Sequence, residues 1–279
     1  MIIRTNYEPC RINKVSNFVN SKSKNQQLSF KSLELKHRKD IEKLTPAENL
    51  FFLAHPDDET CFFYFIANLL NKDSNSVQLI YTNPGQKGRD ARGILERYDP
   101  RMKDLREQEL VQAIDDGYNS KRAPLVLDFI DGETHLQKNK DEMKIFVKEI
   151  IDRVNPVNIF TFEPNGITNH SDHRAISEVT DEVYDENRLS LTQDKKLWKI
   201  GLTKRASELL IQETEKDTHI FTYVKPFIDK ASKNYNVTKY IEQIYKAMSA
   251  YKSQFKPEAV ISFCNYLKKY PFVDMCIRR

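Results

Sequence analysis

Short apolar runs that end in polar residues recur along the chain, and they predict the strands of an α/β sheet. The first run, Leu50–Leu53, passes through Ala54 into the dense polar stretch His55–Glu59. A short run of this kind is typical of a strand that is buried on both faces. Similar runs at residues 77–81, 125–130 and 157–162 predict three further strands.

The segments between these runs have the apolar spacing of helices. Residues 60–70 are predicted to form a buried helix, 104–117 a helix that Gly117 ends, and 141–154 a helix that Asn155-Pro156 ends. Strands that alternate with helices indicate right-handed βαβ units and a mainly parallel sheet. In open sheets of this type, ligands bind at the carboxyl ends of the strands, where the polar residues of these runs would meet.

The rest of the chain is harder to interpret from its pattern. Further predicted elements are a partly alternating edge strand at 28–35, a helix at 175–184, strands at 197–202 and 219–224, a helix or surface insertion at 208–217, and a closing helix at 240–251. His135 and His219 are predicted to be structural. We divide the chain into an N-terminal extension of unassigned role (1–47), a main domain (48–256) and a C-terminal segment packed on that domain (257–279).

Composition narrows the classes of protein to consider. The 279 residues are 39% hydrophobic and 30% charged, which suits one large domain with additions. A net charge of +4 is too small to indicate nucleic-acid binding. No apolar run approaches the ~20 residues of a membrane span, and the start lacks the apolar core of a secretory leader. The four cysteines show no CxxC spacing and are expected to be reduced, so we expect a cytoplasmic protein.

Two polar segments together predict a metal site. His55 and Asp58 have the spacing His-x-x-Asp, and an imidazole with a carboxylate suits a divalent metal such as zinc. The segment Asn169–His173, which follows the predicted strand at 157–162, adds two histidines. Two histidines, one aspartate and spare acid–base groups are what a catalytic metal site with an open position requires. The alternative for the first segment is a solvated acidic turn that begins a helix.

The two segments resemble the PIG-L/LmbE-like N-acetylglucosaminyl deacetylases, in which Ala-His-Pro-Asp-Asp-Glu is followed later by His-x-Asp-His. Weaker matching fragments are Tyr81–Gly85, Arg106-x-x-Glu109 with Ala113 and Gly117, Asp131-Gly132, and Lys246 with Tyr251–Gln254. The resemblance spans residues 48–256. It implies a Rossmann-like, mainly parallel sheet flanked by helices, with the metal site at the carboxyl ends of the strands.

The resemblance also implies roles for individual residues. The metal ligands would be His55, Asp58 and His173, holding Zn²⁺, with Fe²⁺ as the alternative. Asp57 would be the general base. His170 would stabilise the oxyanion or protonate the leaving amine, and Asp172 would orient one of the imidazoles.

Contacts to the substrate are the least specific part of the prediction. By resemblance Arg106 would face the site and touch the sugar, although it could instead pair with Glu109 on the same helix face. Asp131 would lie at the same edge of the sheet as the predicted metal ligands. Arg89 and Arg92 belong to a basic loop, residues 83–100, that would either close over the substrate or remain a solvated loop.

The expected function is therefore metal-dependent removal of an N-acetyl group from an N-acetylglucosamine-type sugar or glycoconjugate. The sequence is compatible with a homo-oligomer. A non-catalytic, metal-containing carbohydrate-binding relative is the alternative. Fe(II) oxygenases also use two histidines and a carboxylate, but by resemblance they have a double-stranded β scaffold. Pro84, and Ser171 where the family often has proline, depart from the family pattern without removing a ligand.

Overall fold

The computed structural model describes residues 34–187, 195–214, 224, 233–270 and 272–278. All of them belong to one compact unit, residues 32–279. The predicted strand at 219–224, apart from Val224, and the predicted structural role of His219 lie outside the described residues. The same is true of most of the predicted edge strand at 28–35.

The strands form one sheet, and the predicted mainly parallel arrangement is confirmed. Its strands are β1 (Lys36–His37), β2 (Asn49–Leu53), β3 (Val77–Tyr81), β4 (Leu125–Val126), β5 (Asn158–Phe162), β6 (Lys196–Ile200), β7 (Lys233–Asn236) and β8 (Phe272–Arg278). Their order is β1-β4-β3-β2-β5-β6-β8-β7. Strands β1 to β6 pair in parallel, whereas β8 pairs antiparallel with both β6 and β7.

Helices flank this sheet, as predicted. They are α1 (Phe63–Leu70), α2 (Met102–Ala113), α3 (Gln137–Val154), α4 (Gly166–Asn169), α5 (Ser171–Asn187), α6 (Lys204–Thr214), α7 (Ile241–Ala250) and α8 (Pro257–Lys269). Among the residues that the structure describes, no helix is both long enough and apolar enough to cross a membrane.

Several predicted boundaries differ from the structure. The helix predicted from residue 60 begins at Phe63, because Asp58–Thr60 form a short 3₁₀ turn first. The strand predicted at 125–130 pairs regularly only at Leu125–Val126.

Gly117 does not end its helix, contrary to the prediction. The chain continues past α2 in one π-helical turn and stops at Asn119, whose φ of 52° is left-handed. Gly117 instead permits a close approach, since a Cβ there would lie 2.6 Å from the Cβ of Ala247 on α7.

Strand β2 lies at the centre of the sheet, between β3 and β5. All five of its residues are buried, and the ring of Phe51 stacks on that of Phe160 with centroids 4.3 Å apart. Stacked and buried aromatic rings hold a strand firmly in register. The loop that follows β2, which begins at Ala54, therefore starts from a rigid support.

Candidate metal and catalytic site

Loops at the carboxyl ends of β2 and β5 bring the three predicted ligands together. Nδ1 of His55 lies 3.2 Å from Nε2 of His173, and the Asp58 carboxylate lies 3.1 Å from that Nε2 and 3.6 Å from that Nδ1. Zinc–ligand bonds of about 2.0–2.2 Å place the donor atoms of a tetrahedron about 3.3–3.6 Å apart. Asp58 faces the two rings with different oxygens, Oδ1 towards His173 and Oδ2 towards His55, so the three side chains are close enough to share one metal ion.

The ring of His173 is fixed by its surroundings. Its Nδ1 lies 2.9 Å from the carbonyl oxygen of Gly166, which can only accept, so Nδ1 carries the proton and Nε2 is left as the donor to a metal. The ring also stacks on Phe162, with centroids 4.3 Å apart. Gly166 is required here: its φ is 66°, and a Cβ would lie 2.5 Å from the Cβ of His173.

The second nitrogen of His55 meets two carboxylates. Its Nε2 lies 3.2 Å from Oδ2 of Asp172 and 3.4 Å from Oδ1 of Asp131. Burial favours the neutral imidazole, but the hydrogen bonds to Asp131, Asp172 and Asp58 outweigh burial and raise the pKa of His55 well above its ordinary value. Asp172 thus contacts the imidazole of His55 in the way that carboxylates orient metal-binding histidines.

Two other groups of side chains could also hold a metal through His55. One combines His55 with His170 and His173, and the other combines it with Asp131 and Asp172. In the second group, Oδ2 of Asp172 already accepts hydrogen bonds from the backbone of Gly132 at 2.7 Å and from the Asn83 amide at 3.3 Å. Oδ2 of Asp58 likewise accepts hydrogen bonds from the backbone N–H groups of Ala54 and His55, so these bonds do not by themselves rank the groups.

The balance of charge around His55 also fits a cation. Four carboxylates, those of Asp57, Asp58, Asp131 and Asp172, lie in the cluster, and three of them are at most 8% exposed. Within the part of the chain that the structure describes, Arg106 is the only Lys or Arg that forms an ion pair with them. Buried carboxylates without a countercharge are costly, and a divalent cation would supply that charge.

Asp57 lies beside the proposed ligands without joining them. Its backbone is left-handed, with φ 105°, and its Oδ1 lies 3.3 Å from Nη2 of Arg106. Arg106 also donates to the carbonyl of Pro56. Burial raises the pKa of Asp57 to about 6, although the charge of Arg106 acts against this rise. A carboxyl group with this pKa is suited to exchange a proton near neutral pH.

Glu59 holds the backbone of Asp57 in place, a role that the sequence did not reveal. Its carboxylate is fully buried and accepts hydrogen bonds from the Tyr251 hydroxyl at 2.6 Å, the Tyr81 hydroxyl at 3.0 Å and the backbone N–H of Asp57 at 3.1 Å. The only signal in the sequence was that Tyr81, Tyr251 and Glu59 all occur in fragments matching the family. Nothing in their spacing predicted that they meet.

Arg106 does not pair with Glu109, the alternative that the sequence left open. Glu109 accepts hydrogen bonds from the backbone N–H and hydroxyl of Ser253, at 2.7 and 2.6 Å. Arg106 is only 2% exposed, and its Nε and Nη1 are buried without a hydrogen-bond partner among the residues that the structure describes. The Arg106 side chain lines the cavity next to His55.

His170 lies against the ligand histidines, with its ring centroid 4.7 Å from that of His55 and 5.1 Å from that of His173. Its Nδ1 accepts the backbone N–H of Asp172 at 3.2 Å, so a neutral ring carries its proton on Nε2. Burial, followed by the charges of His55 and His173, lowers the pKa of His170 to about 4. His170 is therefore a neutral hydrogen-bond donor at neutral pH.

A cavity of about 340 Å³ opens beside these groups. Its described lining includes His55, Asp57, Arg106, Asp131 and His170, together with Gly85 and Gly88 of the basic loop. Arg89 and Arg92 are not among the described residues that line it, and Arg92 forms an ion pair with Asp90 at 2.8 Å. Contact of these two arginines with substrate stays a prediction.

Solved structures of other proteins share this fold. N,N'-diacetylchitobiose deacetylase from Pyrococcus horikoshii aligns with a TM-score of 0.57 at 14% identity, covering 83% of this chain and 84% of that one. The zinc-inhibited form of teicoplanin deacetylase Orf2 aligns with a TM-score of 0.54 at 12% identity, covering 82% and 98%. GalB, the 4-carboxy-2-hydroxymuconate hydratase of Pseudomonas putida KT2440, aligns with a TM-score of 0.53 at 14% identity, covering 81% and 84%.

These similarities define a class: an α/β protein of the LmbE-like fold with a buried histidine–aspartate cluster at the carboxyl ends of its parallel strands. No curated protein sequence matches the chain. Residues 50–184 match the family model described as "PIG-L: GlcNAc-PI de-N-acetylase". This match confirms the resemblance to the PIG-L/LmbE-like deacetylases that the motifs indicated.

Proposed function

We propose that this protein is a zinc-dependent amidohydrolase that removes the N-acetyl group from an N-acetylglucosamine-type sugar or glycoconjugate. The family description and the names of two structural neighbours, both deacetylases, support this proposal. The fold alone does not, because a hydratase shares it. The observation that carries the proposal is the position of Asp57, which stands beside the His55–Asp58–His173 set without belonging to it.

In this proposal His55, Asp58 and His173 hold the metal. Zinc held there would supply Lewis-acid chemistry: it would polarise the acetyl carbonyl and lower the pKa of a water molecule towards about 7. Asp57 accepts a proton from the attacking water and returns it to the leaving amine, while the ion pair with Arg106 keeps its carboxylate aimed at the reacting atoms.

His170 and Arg106 complete the proposed chemistry. The Nε2–H of His170 donates a hydrogen bond to the oxyanion that forms from the carbonyl oxygen. Because His170 is neutral near pH 7, this role fits it better than protonation of the amine. Arg106, which lines the cavity, contacts the sugar. Asp57 and His170 would have no such use in a non-catalytic carbohydrate-binding protein, which is the alternative.

Metal content and acetate release test the proposal together. Protein purified without added metal would be assayed by elemental mass spectrometry, and acetate release would be measured from N-acetylglucosamine and its conjugates. We expect about one zinc or iron ion per chain, lost together with activity in His55→Ala. His135→Ala, which changes an exposed histidine outside the cluster, is the matched control and should retain both. Wild type that holds no metal and gains none from added zinc would refute the mechanism.

A further inference from the structure

A buried glutamate follows β5, at the start of the loop that leads to the ligand His173. This residue, Glu163, directly follows the last residue of the strand and is fully buried. Its backbone N–H donates to the carbonyl oxygen of Ile200 at 2.9 Å, which ties it to the end of the neighbouring strand β6. Glu163 is therefore held by the sheet, whereas the loop after it leaves the sheet.

Glu163 binds three consecutive backbone N–H groups of that loop. Its Oε2 accepts the N–H of Asn165 at 2.6 Å, and its Oε1 accepts the N–H of Ile167 at 2.6 Å. Its backbone carbonyl accepts the N–H of Gly166 at 2.8 Å. We call these three hydrogen bonds the Glu163 clamp. Two of them have a carboxylate as acceptor, and such charge-assisted bonds are stronger than bonds between neutral groups.

The loop needs such a clamp because its backbone is strained. Ile167 has φ 61° and ψ −50°, and a positive φ is a genuine outlier for a β-branched residue. A conformation of this kind persists only where the surrounding structure enforces it. The N–H of Ile167 belongs to the Glu163 clamp, so the carboxylate holds the backbone at the strained residue itself.

One peptide group connects the Glu163 clamp to the ligand His173. The carbonyl of Gly166 and the N–H of Ile167 belong to the same peptide unit, which is planar and trans, so the two groups point in opposite directions. The N–H donates to Oε1 of Glu163, and the carbonyl oxygen lies 2.9 Å from Nδ1 of His173. The carboxylate therefore sets the direction in which this carbonyl meets the imidazole.

We propose that Glu163 is a positioning residue of the metal site, whose carboxylate orients and polarises the imidazole of His173 through the peptide group between Gly166 and Ile167. Hydrogen bonds in a chain polarise one another, so the carboxylate makes the Gly166 carbonyl a better acceptor and Nε2 of His173 a better donor to a metal. The inference rests on the proposed function only in taking His173 as a metal ligand.

Zinc affinity, measured by competition with a chelator, tests the inference. Glu163→Gln keeps the shape of the side chain but replaces one acceptor oxygen by an NH₂ group and removes the charge. We expect the dissociation constant of zinc to rise about tenfold or more, as it does when the support of a ligand is lost. Glu109→Gln is the matched control, because Glu109 is also buried and accepts a backbone N–H, that of Ser253, at 2.7 Å. Its zinc affinity should be that of wild type. Equal zinc affinities in Glu163→Gln and wild type would overturn the inference.

Nuclear magnetic resonance of the metal-free protein separates positioning from a general loss of stability. Long-range ¹H–¹⁵N correlation distinguishes the two tautomers of a neutral imidazole, and comparison with His173→Gln assigns the signal. We expect wild type and Glu109→Gln to carry the proton of His173 on Nδ1, and Glu163→Gln to populate both tautomers. A wild-type tautomer in Glu163→Gln would contradict the inference.

A second variant keeps the carboxylate but displaces it. A Cβ on Gly201 would lie 2.6 Å from Cγ of Glu163, so Gly201→Ala should also weaken zinc binding and mix the tautomers of His173. If Glu163→Gln does not fold, Gly201→Ala decides the inference by the same two measurements.

These measurements also separate the inference from the proposed function. If no N-acetylated sugar is hydrolysed but Glu163→Gln alters both zinc affinity and the tautomer, the inference stands and the proposed function fails. If N-acetylglucosamine is hydrolysed and Glu163→Gln changes neither, the proposed function stands and the inference fails. If wild type binds no zinc, the proposed function fails, and the tautomer in metal-free protein alone decides the inference.

Discussion

At the scale of single residues, the site is organised around the placement of one carboxylate. Asp57 adopts a left-handed backbone conformation, which is uncommon for a residue other than glycine and persists only where the surroundings enforce it. Those surroundings are the carboxylate of Glu59, which accepts the Asp57 N–H, and Arg106, which pairs with its side chain. The strained backbone and its two supports indicate that the direction of this carboxylate matters.

Replacing Asp57 by Asn should remove the proposed general base while preserving shape. We expect kcat for acetate release to fall about 10²–10⁴-fold, because that is the usual contribution of a positioned base. Metal content should remain that of wild type, since Asp57 is outside the ligand set. Asp104→Asn, at an exposed acid of α2, is the control and should have wild-type kinetics. Asp57→Asn with unchanged kcat would exclude Asp57 as the base.

The raised pKa of Glu59 predicts that the free energy of unfolding depends on pH. Burial raises the pKa of Glu59 from 4.5 to about 7, although the hydrogen bond from Tyr251 acts in the opposite direction. The folded protein therefore binds this proton more tightly than the unfolded chain. The stability that results is complete below pH 4.5 and is lost as the pH rises through 7, a change of roughly 3 kcal/mol.

Glu59→Gln cannot titrate, so it isolates this contribution. Between pH 4.5 and 7.5, we expect wild type to lose roughly 3 kcal/mol of unfolding free energy relative to Glu59→Gln. Urea denaturation of both proteins with a chelator present measures the difference. Glu59→Gln should also lower the free energy of unfolding by about 1–3 kcal/mol at all pH values, because one of the three donors loses its acceptor. A difference that stays constant with pH would show that Glu59 does not titrate in this range.

At the scale of secondary-structure elements, the loop between β5 and α5 sets the position of His173. Gly166, Ile167 and Asn169 all have positive φ values in this loop. Residues held in such conformations cost free energy and cluster at functional sites. The Gly166 carbonyl is the acceptor that fixes the tautomer of His173, so the path of the loop and the metal ligand are coupled.

Gly166→Ala should therefore disturb metal binding more than it disturbs the fold. A Cβ at this position would lie 2.5 Å from the Cβ of His173 and displace that ligand. We expect zinc affinity to fall about 10–100-fold, the usual cost of disturbing the support of a ligand. Gly132→Ala is a matched control: Gly132 also has a positive φ, of 78°, but a Cβ there meets nothing within 4 Å. Equal zinc affinities in the two variants, measured by competition with a chelator, would contradict this account.

At the scale of the whole molecule, the central question is how a folded chain tolerates so many buried carboxylates in one place. Asp58 and Asp172 are at most 5% exposed and lie within hydrogen-bonding distance of ligand histidines. A cation bound to the folded state alone would relieve this charge and shift the folding equilibrium by mass action.

Metal binding should therefore stabilise the protein. Zinc at about 100 times its dissociation constant adds about 2.7 kcal/mol to the free energy of unfolding, which raises Tm by roughly 5–10 °C in a protein of this size. Differential scanning calorimetry with and without zinc measures the shift. His55→Ala should show no shift, and calcium should not replace zinc, because calcium prefers oxygen ligands. A wild-type Tm that does not respond to zinc would refute the metal site.

The sequence by itself determined the parallel sheet, most of its helices and the resemblance to a family. These depend on patterns that are local in the chain: apolar runs, helical spacing, and two polar motifs that directly follow strands. Gly117 shows the limit of such reasoning. A glycine near the end of a helix predicts a stop, but this one makes room for Ala247, more than a hundred residues away.

Only the tertiary structure decided how the site is supported. Glu59 accepts hydrogen bonds from Tyr81, Tyr251 and Asp57. Arg106 pairs with Asp57 rather than with Glu109. Both arrangements depend on contacts between segments that are distant in the sequence. The cavity beside the site is likewise lined by residues of α1, α2, α6, α7 and α8, which are far apart in the sequence. Local patterns show which face of an element is buried, but not which distant element it meets, because that is settled by packing the whole chain at once.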